Sequence, residues 1–371
     1  MLRLNKKLGL LTLNGYDNYG NRLQNYALER TIERLGFEVE TILVSRRSTD
    51  TFLQRLFRCT IKEAMNKILI RIRLHKNREH IGNRTDRFIQ FSNKYLHETS
   101  FSLTLQSEVN NLDDKYDCFV VGSDQVWNPH NLHGTTFFFL TFAEKHKRVA
   151  YAASFGISDL PDKYIEQYKT WLDGMNRISV REYEGAKIVE KITGKKPMVL
   201  LDPTLLLDKS DWLRISEPSM SKPKKDYLLT YFLGAIPPVI ESEIQQIAKN
   251  NNLQVVRLAD LRDLVNYTCG PSEFIDYMND CKLFLTDSFH GTVFSILFEK
   301  PFFVFERAGS ISMYSRISTL LRLFHLEDRA TKSIEKRTDM FHIDYSSVPL
   351  ILEAERNRAF DYLKEAISAK E

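Results

Sequence analysis

The sequence is poor in cysteine and has no long apolar run. Its 371 residues include four scattered cysteines without a CxxC pair, namely Cys59, Cys118, Cys269 and Cys281. This pattern favours reduced thiols over a disulfide framework or a zinc site, and we expect no metal ion. No stretch approaches the roughly 18 apolar residues that a membrane span requires. The first residues lack the hydrophobic region and cleavage site of a signal peptide, so we expect a cytoplasmic protein.

Two common phosphate-binding motifs are also missing. GxGxxG and GxxxxGK do not occur, which excludes a dinucleotide site and a P-loop site. The loop at residues 14–21 carries two glycines before a predicted helix, and we interpret it as the lining of a cleft. The alternative for this loop is a simple tight turn. A net charge of +4 is modest and indicates neither nucleic-acid nor lipid binding.

What the chain does contain is an ordinary globular composition, with 43% hydrophobic and 27% charged residues. Its length suggests two domains. Short apolar strands alternate with helices along the chain, which is typical of Rossmann-like layers built on parallel sheets. A polar segment around residues 208–225 separates two such series. We therefore predict an α/β protein with two Rossmann-like domains facing a cleft, the glycosyltransferase-B type of architecture.

The predicted domains cover residues 1–210 and 226–371, with the last helix able to pack back on the first domain. A basic helical insertion is predicted at about 51–98, and residues 51–75 have the apolar periodicity of an amphipathic helix. Such a helix can lie on an anionic membrane surface, which would place the protein peripherally at the inner membrane face. The alternative is a helix that packs its apolar stripe on its own domain and solvates its charges.

The stretch at residues 281–305 contains the most informative turn, Asp287-Ser288-Phe289-His290-Gly291, between an apolar strand and a helix. A helix amino terminus offers backbone N–H groups to an anion, and Gly291 would let a ligand approach the main chain. Histidine can donate a proton near neutrality or contact a phosphate. The alternative is that Asp287 or Ser288 only caps the helix.

Further polar residues follow other predicted strands, and parallel strands bring their carboxyl ends to one edge of a sheet, where ligands bind. Together with Asn18-Tyr19-Gly20-Asn21 near the amino terminus, their order and spacing resemble the polysaccharide pyruvyl transferases. The segments that carry this resemblance are Gly122-Ser123-Asp124-Gln125-Val126-Trp127, Ser179-Val180-Arg181-Glu182, Asp202-Pro203-Thr204 and Thr286-Asp287-Ser288-Phe289-His290-Gly291.

The resemblance implies a two-domain enzyme of bacterial surface polysaccharide synthesis. Such an enzyme moves a pyruvyl group from phosphoenolpyruvate onto two hydroxyls of a sugar, as a cyclic ketal. Phosphoenolpyruvate is then a co-substrate, no other cofactor is expected, and the acceptor is a sugar or a lipid-linked oligosaccharide. Many members of the family have Arg-Leu-His where this chain has Ser288-Phe289-His290. The missing charge could come from Arg307 or Arg316, or the donor differs from phosphoenolpyruvate.

The reaction needs an acid for the methylene carbon, groups that hold the anions and a base for the hydroxyls. We assign His290 as the acid, and Asp124 or Asp287 as the base with Glu182 behind them. The expected donor contacts are Arg181, Ser288, His290, Gly291, Thr292, Arg307 and Arg316, including the backbone amides of residues 290–292. The expected acceptor contacts are Asn18, Asn21 and Trp127.

Two other classes of function remain open from the sequence. A glycosyltransferase of the same architecture could bind the diphosphate of a nucleotide sugar at the same turn. A non-catalytic carbohydrate-binding protein could stack Trp127 and Tyr183 on a sugar. Nucleic-acid binding is disfavoured, because the chain contains no recognised module for it.

Overall fold

The computed structural model describes residues 6–44, 75–104, 111–130, 135–307, 314–334 and 337–368. The basic helix predicted over residues 51–75 lies outside these ranges apart from its last residue. Within the described ranges, no helix is both long and apolar enough to cross a membrane.

The first sheet has seven parallel strands in the order β3-β2-β1-β4-β5-β6-β7. Its strands are β1 (Lys7–Leu11), β2 (Glu38–Val44), β3 (Glu98–Leu103), β4 (Cys118–Val121), β5 (Arg148–Ala153), β6 (Arg177–Val180) and β7 (Met198–Val199). The accompanying helices are α1 (Tyr19–Arg34), α2 (Arg78–Tyr95), α3 (Leu112–Lys115), α4 (Thr135–Phe138), α5 (Ile165–Asp173), α6 (Tyr183–Thr193) and α7 (Lys209–Arg214). The central strands are nearly all buried, as expected for a parallel sheet covered on both faces.

The second sheet has five parallel strands in the order β12-β11-β10-β8-β9. Its strands are β8 (Tyr227–Tyr231), β9 (Gln254–Leu258), β10 (Leu283–Thr286), β11 (Phe302–Phe305) and β12 (Ala330–Thr331). Its helices are α8 (Pro238–Asn250), α9 (Leu264–Tyr267), α10 (Pro271–Asp280), α11 (Phe289–Leu297), α12 (Tyr314–Leu323) and α13 (Val348–Ser368). Two parallel α/β sheets confirm the predicted fold class. The predicted boundary between residues 210 and 226 stays a prediction.

In each sheet the order of the strands reverses at the strand that comes first in the chain. This reversal indicates where a ligand site is expected. Strand β1 lies between β2 and β4, and β8 lies between β9 and β10. In open α/β sheets, ligands bind in the crevice at the carboxyl ends of the strands where the order reverses. The loops after β1, β4, β8 and β10 are therefore the ones that topology favours for a site.

The two helices nearest this crevice begin three residues earlier than the sequence predicted. Helix α1 begins at Tyr19 because the Asn18 side chain accepts a hydrogen bond of 2.9 Å from the Gly20 N–H. Helix α11 begins at Phe289 because the Ser288 hydroxyl accepts a bond of 3.2 Å from the Gly291 N–H. Asparagine and serine are preferred N-cap residues, so both turns are shorter than expected.

Polar contacts, several of them buried, hold the two halves together. Arg84 of α2 donates to the Tyr19 hydroxyl at 2.7 Å and to the Cys269 carbonyl at 3.0 Å. At the far end of the chain, Arg356 of α13 donates to the Leu205 carbonyl at 2.7 Å, and the Tyr362 hydroxyl donates to the Ala150 carbonyl at 2.8 Å. The last helix thus contacts the first sheet.

Glu29 of α1 is a fully buried carboxyl group. It accepts hydrogen bonds from the Thr41 hydroxyl at 2.5 Å and from the His97 N–H at 3.1 Å. Burial raises its pKa from 4.5 to about 7, although the hydrogen bonds from Thr41 and His97 oppose this change. The folded state therefore keeps a proton that the unfolded chain loses at lower pH, and stability falls as the pH rises between these two values.

We expect Glu29→Gln to remove this pH dependence. From about pH 4.5 to about pH 7, the wild-type protein should lose about 3 kcal/mol of stability that the variant keeps. Melting temperatures at about pH 5 and about pH 8 measure the effect, and Glu38→Gln, on an exposed carboxyl of β2, is the control. If the melting temperatures of Glu29→Gln and wild type differ by the same amount at both pH values, the prediction is contradicted.

Candidate active site

Three charged side chains of the first domain meet where its strands end. Asp124 follows β4, Arg181 follows β6 and Asp202 follows β7, and all three are buried. Arg181 donates from Nη2 to Asp124 Oδ1 at 3.0 Å and from Nη1 to Asp202 Oδ2 at 2.5 Å. One guanidinium therefore joins two carboxylates that come from different loops, as expected for a planar group with several donors.

The second domain adds two basic side chains from the opposite side. His290 Nε2 lies 3.6 Å from Asp202 Oδ2, and Arg316 Nη1 of α12 lies 3.5 Å from Asp124 Oδ1. Basic and acidic groups thus alternate across the two domains in what we call the interdomain charge cluster, which consists of Arg316, Asp124, Arg181, Asp202 and His290.

Asp202 is the residue of this cluster that we did not assign to the site from the sequence. Its Oδ1 accepts from the Thr204 N–H at 3.0 Å and from the Thr204 hydroxyl at 2.6 Å, and its Oδ2 accepts from the Ser123 hydroxyl at 3.0 Å. These bonds fix the carboxylate on the strand end that faces His290. Its position directly after a predicted strand was the signal that could have identified it.

The charges within the cluster determine its protonation. Burial by itself would raise the pKa of Asp124, but Arg181, His290 and Arg316 hold it below its ordinary value. Burial would also raise the pKa of Asp202, but His290 and Arg181 hold this pKa well below its usual range. Both groups are therefore carboxylates at neutral pH. Burial and the neighbouring Arg181 lower the pKa of Arg316 to about 10, which leaves it cationic.

The position of His290 depends on a glycine in the other domain. A Cβ placed on Gly20 would lie 2.0 Å from His290 Nδ1 and 2.4 Å from its Cγ, so any side chain there would displace the ring. Beside it, the Arg181 guanidinium lies over the Phe289 ring at 4.2 Å from the centroid, a cation–π contact. The amino-terminal Asn18–Asn21 segment and the turn after β10 therefore meet at the cluster.

Asp287 lies outside the cluster. Its two oxygens accept from the N–H groups of Leu233 at 2.6 Å and Gly234 at 2.8 Å, and Arg307 Nε lies 3.4 Å away. The carboxylate thereby ties the loop after β8 to the loop after β10. These contacts correspond to a structural role better than to the predicted role of a base, and they place Arg307 beside Asp287 and outside the cluster.

The structure corrects our view of the turn's backbone. The Gly291 N–H bonds to the Ser288 hydroxyl and the Thr292 N–H bonds to the Ser288 carbonyl at 3.0 Å, so neither amide is directed at an anion. A Cβ on Gly291 would lie 2.7 Å from Thr286 Oγ1. This glycine is needed for close packing of α11 on β10, and it does not open the main chain to a ligand.

The predicted acceptor contact at Trp127 is also contradicted. Its ring is fully buried, it stacks on Phe139 with centroids 5.2 Å apart, and its Nε1 donates to the Phe138 carbonyl at 2.9 Å. The side chain belongs to the core of the first domain and is closed to a sugar. Asn21 is 6% exposed, and Asn18 serves as the cap of α1.

A cavity of about 300 Å³ adjoins the cluster between the two domains. Arg181, Asp202, Phe289 and Arg316 line one part of it. The apolar lining consists of Pro197, Met198, Val199, Leu200, Leu201, Leu205, Leu320 and Leu323, and the remaining lining consists of Tyr183, Thr319, Glu355 and Arg358. A cavity of this size that combines apolar walls with several charged groups is typical of ligand sites.

Comparison with known proteins identifies the family. A sequence profile described as polysaccharide pyruvyl transferase matches residues 18–309, which is most of the chain. The chain belongs to the polysaccharide pyruvyl transferase family. The match includes every residue of the interdomain charge cluster except Arg316, which lies beyond its end. No curated protein sequence matches the chain.

Several solved structures resemble this chain at low sequence identity. A protein described as a UDP-N-acetylglucosamine 2-epimerase from Listeria monocytogenes has a TM-score of 0.51 and 8% identity, covering 99% of this chain and 98% of that one. UDP-GlcNAc 2-epimerase from Neisseria meningitidis has a TM-score of 0.49 and 10% identity, with 98% and 97% coverage. A Rickettsia africae glycosyltransferase has a TM-score of 0.49 and 9% identity, with 98% and 95% coverage. The likeness to the Listeria protein shows the fold alone, two Rossmann-like domains that face a cleft.

The contact between Gly20 and His290 predicts a non-additive pair of substitutions. Gly20→Ala should destabilise the protein by about 1 to 3 kcal/mol, because its Cβ overlaps the imidazole. In a His290→Ala background the same change should cost little, since the overlapping ring is gone. Urea unfolding of the four proteins of this double-mutant cycle measures the coupling.

Gly82 of α2 provides the matched control, because nothing lies within 4 Å of a Cβ placed there. Gly82→Ala should stabilise the helix by about 0.5 to 1 kcal/mol. Equal costs of Gly20→Ala in the presence and absence of the histidine ring would show that the two residues are not in contact.

Proposed function

We propose that the protein is a ketal-forming pyruvyltransferase that moves a pyruvyl group from phosphoenolpyruvate to two hydroxyls of a sugar of a bacterial surface polysaccharide. The observation that carries the proposal is the interdomain charge cluster, which brings two arginines and a histidine together in a chain of this family. Arginine and histidine are suited to hold the carboxylate and the phosphate of the donor.

The reaction sets the tasks for these groups. The methylene carbon of phosphoenolpyruvate takes up a proton and becomes a methyl group, and C2 becomes an oxocarbenium-like centre. Two sugar oxygens form bonds to C2, and the bond between C2 and the phosphate oxygen breaks. Of the two hydroxyl protons, one is balanced by the proton on the methyl carbon and the other by the proton on the released phosphate. The site must therefore bind anions, deliver a proton and accept protons from hydroxyls.

Arg181 and Arg316 are the proposed anion-binding groups. Within the described part of the chain, Arg181 Nε is buried and has no hydrogen-bond partner, so this donor is available to a ligand. Arg316 is 5% exposed and lies in the cluster, whereas Arg307 contacts Asp287. We therefore assign to Arg316 the charge that the family's Arg-Leu-His motif would supply at Ser288.

His290 is the proposed proton donor. Its Nε2 lies 3.6 Å from Asp202 Oδ2, which is too far for a hydrogen bond. Among the described residues, Nε2 has no other hydrogen-bond partner. In this proposal the Asp202 carboxylate stabilises the positive charge of the imidazolium, and Asp124 and Asp202 accept hydrogen bonds from the sugar hydroxyls as they attack. Strongly paired carboxylates are weak bases, so we expect them to orient the hydroxyls and to accept their protons only as C–O bonds form.

The donor assignment predicts a melting shift that depends on His290. Phosphoenolpyruvate at 100 times its dissociation constant should stabilise the wild-type protein by about 2.7 kcal/mol, and His290→Ala should abolish most of this shift. Phosphate release from phosphoenolpyruvate in the presence of acceptor should fall by about 10²-fold or more in the same variant, because a general acid is lost.

His342→Ala is the matched control, since His342 is exposed and lies outside the cluster. It should keep both the melting shift and the phosphate release. UDP, GDP and CMP are tested alongside phosphoenolpyruvate. A shift with a nucleotide and none with phosphoenolpyruvate would contradict the proposed donor and would favour a nucleotide-sugar transferase.

A further inference from the structure

We propose that the cavity between the domains is the acceptor site, in which Tyr183 and the Glu355–Arg358 pair hold the sugar while its hydroxyls face Arg181 and Asp202. The inference rests on the proposed function, because it places the second substrate of the same reaction. It assigns recognition of the acceptor to residues of α6 and α13 that the sequence did not connect with an acceptor site in an enzyme.

The first argument is continuity with the charge cluster. Arg181 and Asp202 line the cavity and also belong to the cluster, where Asp202 faces His290. A molecule in the cavity therefore presents its end group to Asp202, which faces the proposed acid, and to Arg181, which is bonded to Asp202. A ketal-forming enzyme needs this arrangement, since both acceptor oxygens must reach the carbon that the acid activates.

The second argument is the chemistry of the walls. A pyranose has an apolar face made of C–H groups and a polar rim of hydroxyls. The cavity offers apolar side chains such as Val199 and Leu320 together with a few charged groups, which is the mixture that such a molecule requires. A purely hydrocarbon ligand would leave the buried Arg181 Nε, which has no hydrogen-bond partner among the described residues, still unpaired and is disfavoured.

The third argument is an exposed aromatic ring. Tyr183 is the first residue of α6, only two residues after Arg181, and it is 46% exposed where it lines the cavity. A tyrosine offers an apolar ring face and a polar hydroxyl, which suits stacking on a sugar. Because Trp127 is fully buried in the core, Tyr183 provides the aromatic surface that a sugar can reach here.

The fourth argument is the ion pair of the last helix. Arg358 Nη1 donates to both oxygens of Glu355, at 2.6 and 2.7 Å. A guanidinium has five N–H groups and a carboxylate has further lone pairs, so the pair can still bond to hydroxyls. Since Arg356 of α13 also donates to the Leu205 carbonyl of the first domain, this wall of the cavity is held in place by both domains.

The test fills the cavity without changing the cluster. Leu323→Trp places a large ring in the cavity from α12, and Val199→Trp does so from β7 as a second variant if the first fails to fold. Leu350→Trp is the matched control, because Leu350 is 74% exposed on α13 and is not a lining residue. Melting curves with and without phosphoenolpyruvate test whether each variant is folded and still binds the donor.

Sugar binding is measured by saturation-transfer NMR with methyl β-glucoside, methyl β-galactoside and lactose as probes. We expect transfer to at least one probe in the wild-type protein and in Leu350→Trp, and its loss in the cavity-filling variant. For the best probe, Tyr183→Ala should weaken binding about tenfold and Tyr183→Phe should retain it, because stacking needs the ring and not the hydroxyl.

Three results would overturn the inference. They are the absence of transfer in the wild-type protein, unchanged transfer in the folded cavity-filling variant, and displacement of the sugar by hexanol at equal concentration, which would indicate a hydrocarbon site. The proposed function fails in a different way, through a wild-type protein that binds the sugar in the cavity but shows no melting shift with phosphoenolpyruvate.

Discussion

The site depends on the interaction of one arginine with two carboxylates. Arg181 bonds to Asp124 and Asp202, which reach it from the ends of different strands, and all three side chains are buried. A buried charge is strongly unfavourable when it is unpaired, so Arg181 requires the carboxylates and each carboxylate requires a cation beside it. The loops after β4, β6 and β7 therefore meet in an arrangement in which these charges compensate one another, and this arrangement presents the carboxylates to the second domain.

The second domain completes the site with His290 and Arg316, so neither domain contains it alone. Further contacts between the domains, from Arg84 in α2 to the Cys269 carbonyl and from Arg356 in α13 to the Leu205 carbonyl, keep the strand ends of the two sheets facing each other. A site formed between two domains suits a reaction that joins an anionic donor to a sugar. In the proposed function, one side of the cluster holds the charges for the donor, and the adjoining cavity offers apolar walls and polar groups for the acceptor.

Much of the fold could be predicted from local patterns. Short apolar runs that alternate with helices predicted the parallel sheets. The position of Asp124, Arg181 and His290 just after predicted strands indicated that they are candidate site residues. Predictions that required knowledge of neighbours were weaker. Trp127 looked like a sugar-binding ring beside a polar turn, but the rings of Phe139 and Phe155 enclose it. Asp202 belongs to one of the motifs that carry the family resemblance, but the sequence assigned it no role. Its role depends on contact with His290, which is distant in sequence and lies in the other domain.

By itself, the sequence determined the two Rossmann-like domains, the family and the turn that carries His290. These follow from periodicity, capping residues and motif order, which are local properties of the chain. Only the tertiary structure decided that Gly20 faces the His290 ring, that Asp202 joins Arg181 to the second domain, and that a cavity with Tyr183 opens beside them. Such relations depend on how two separately folded sheets approach each other, and this approach is set by packing between segments that no local pattern connects.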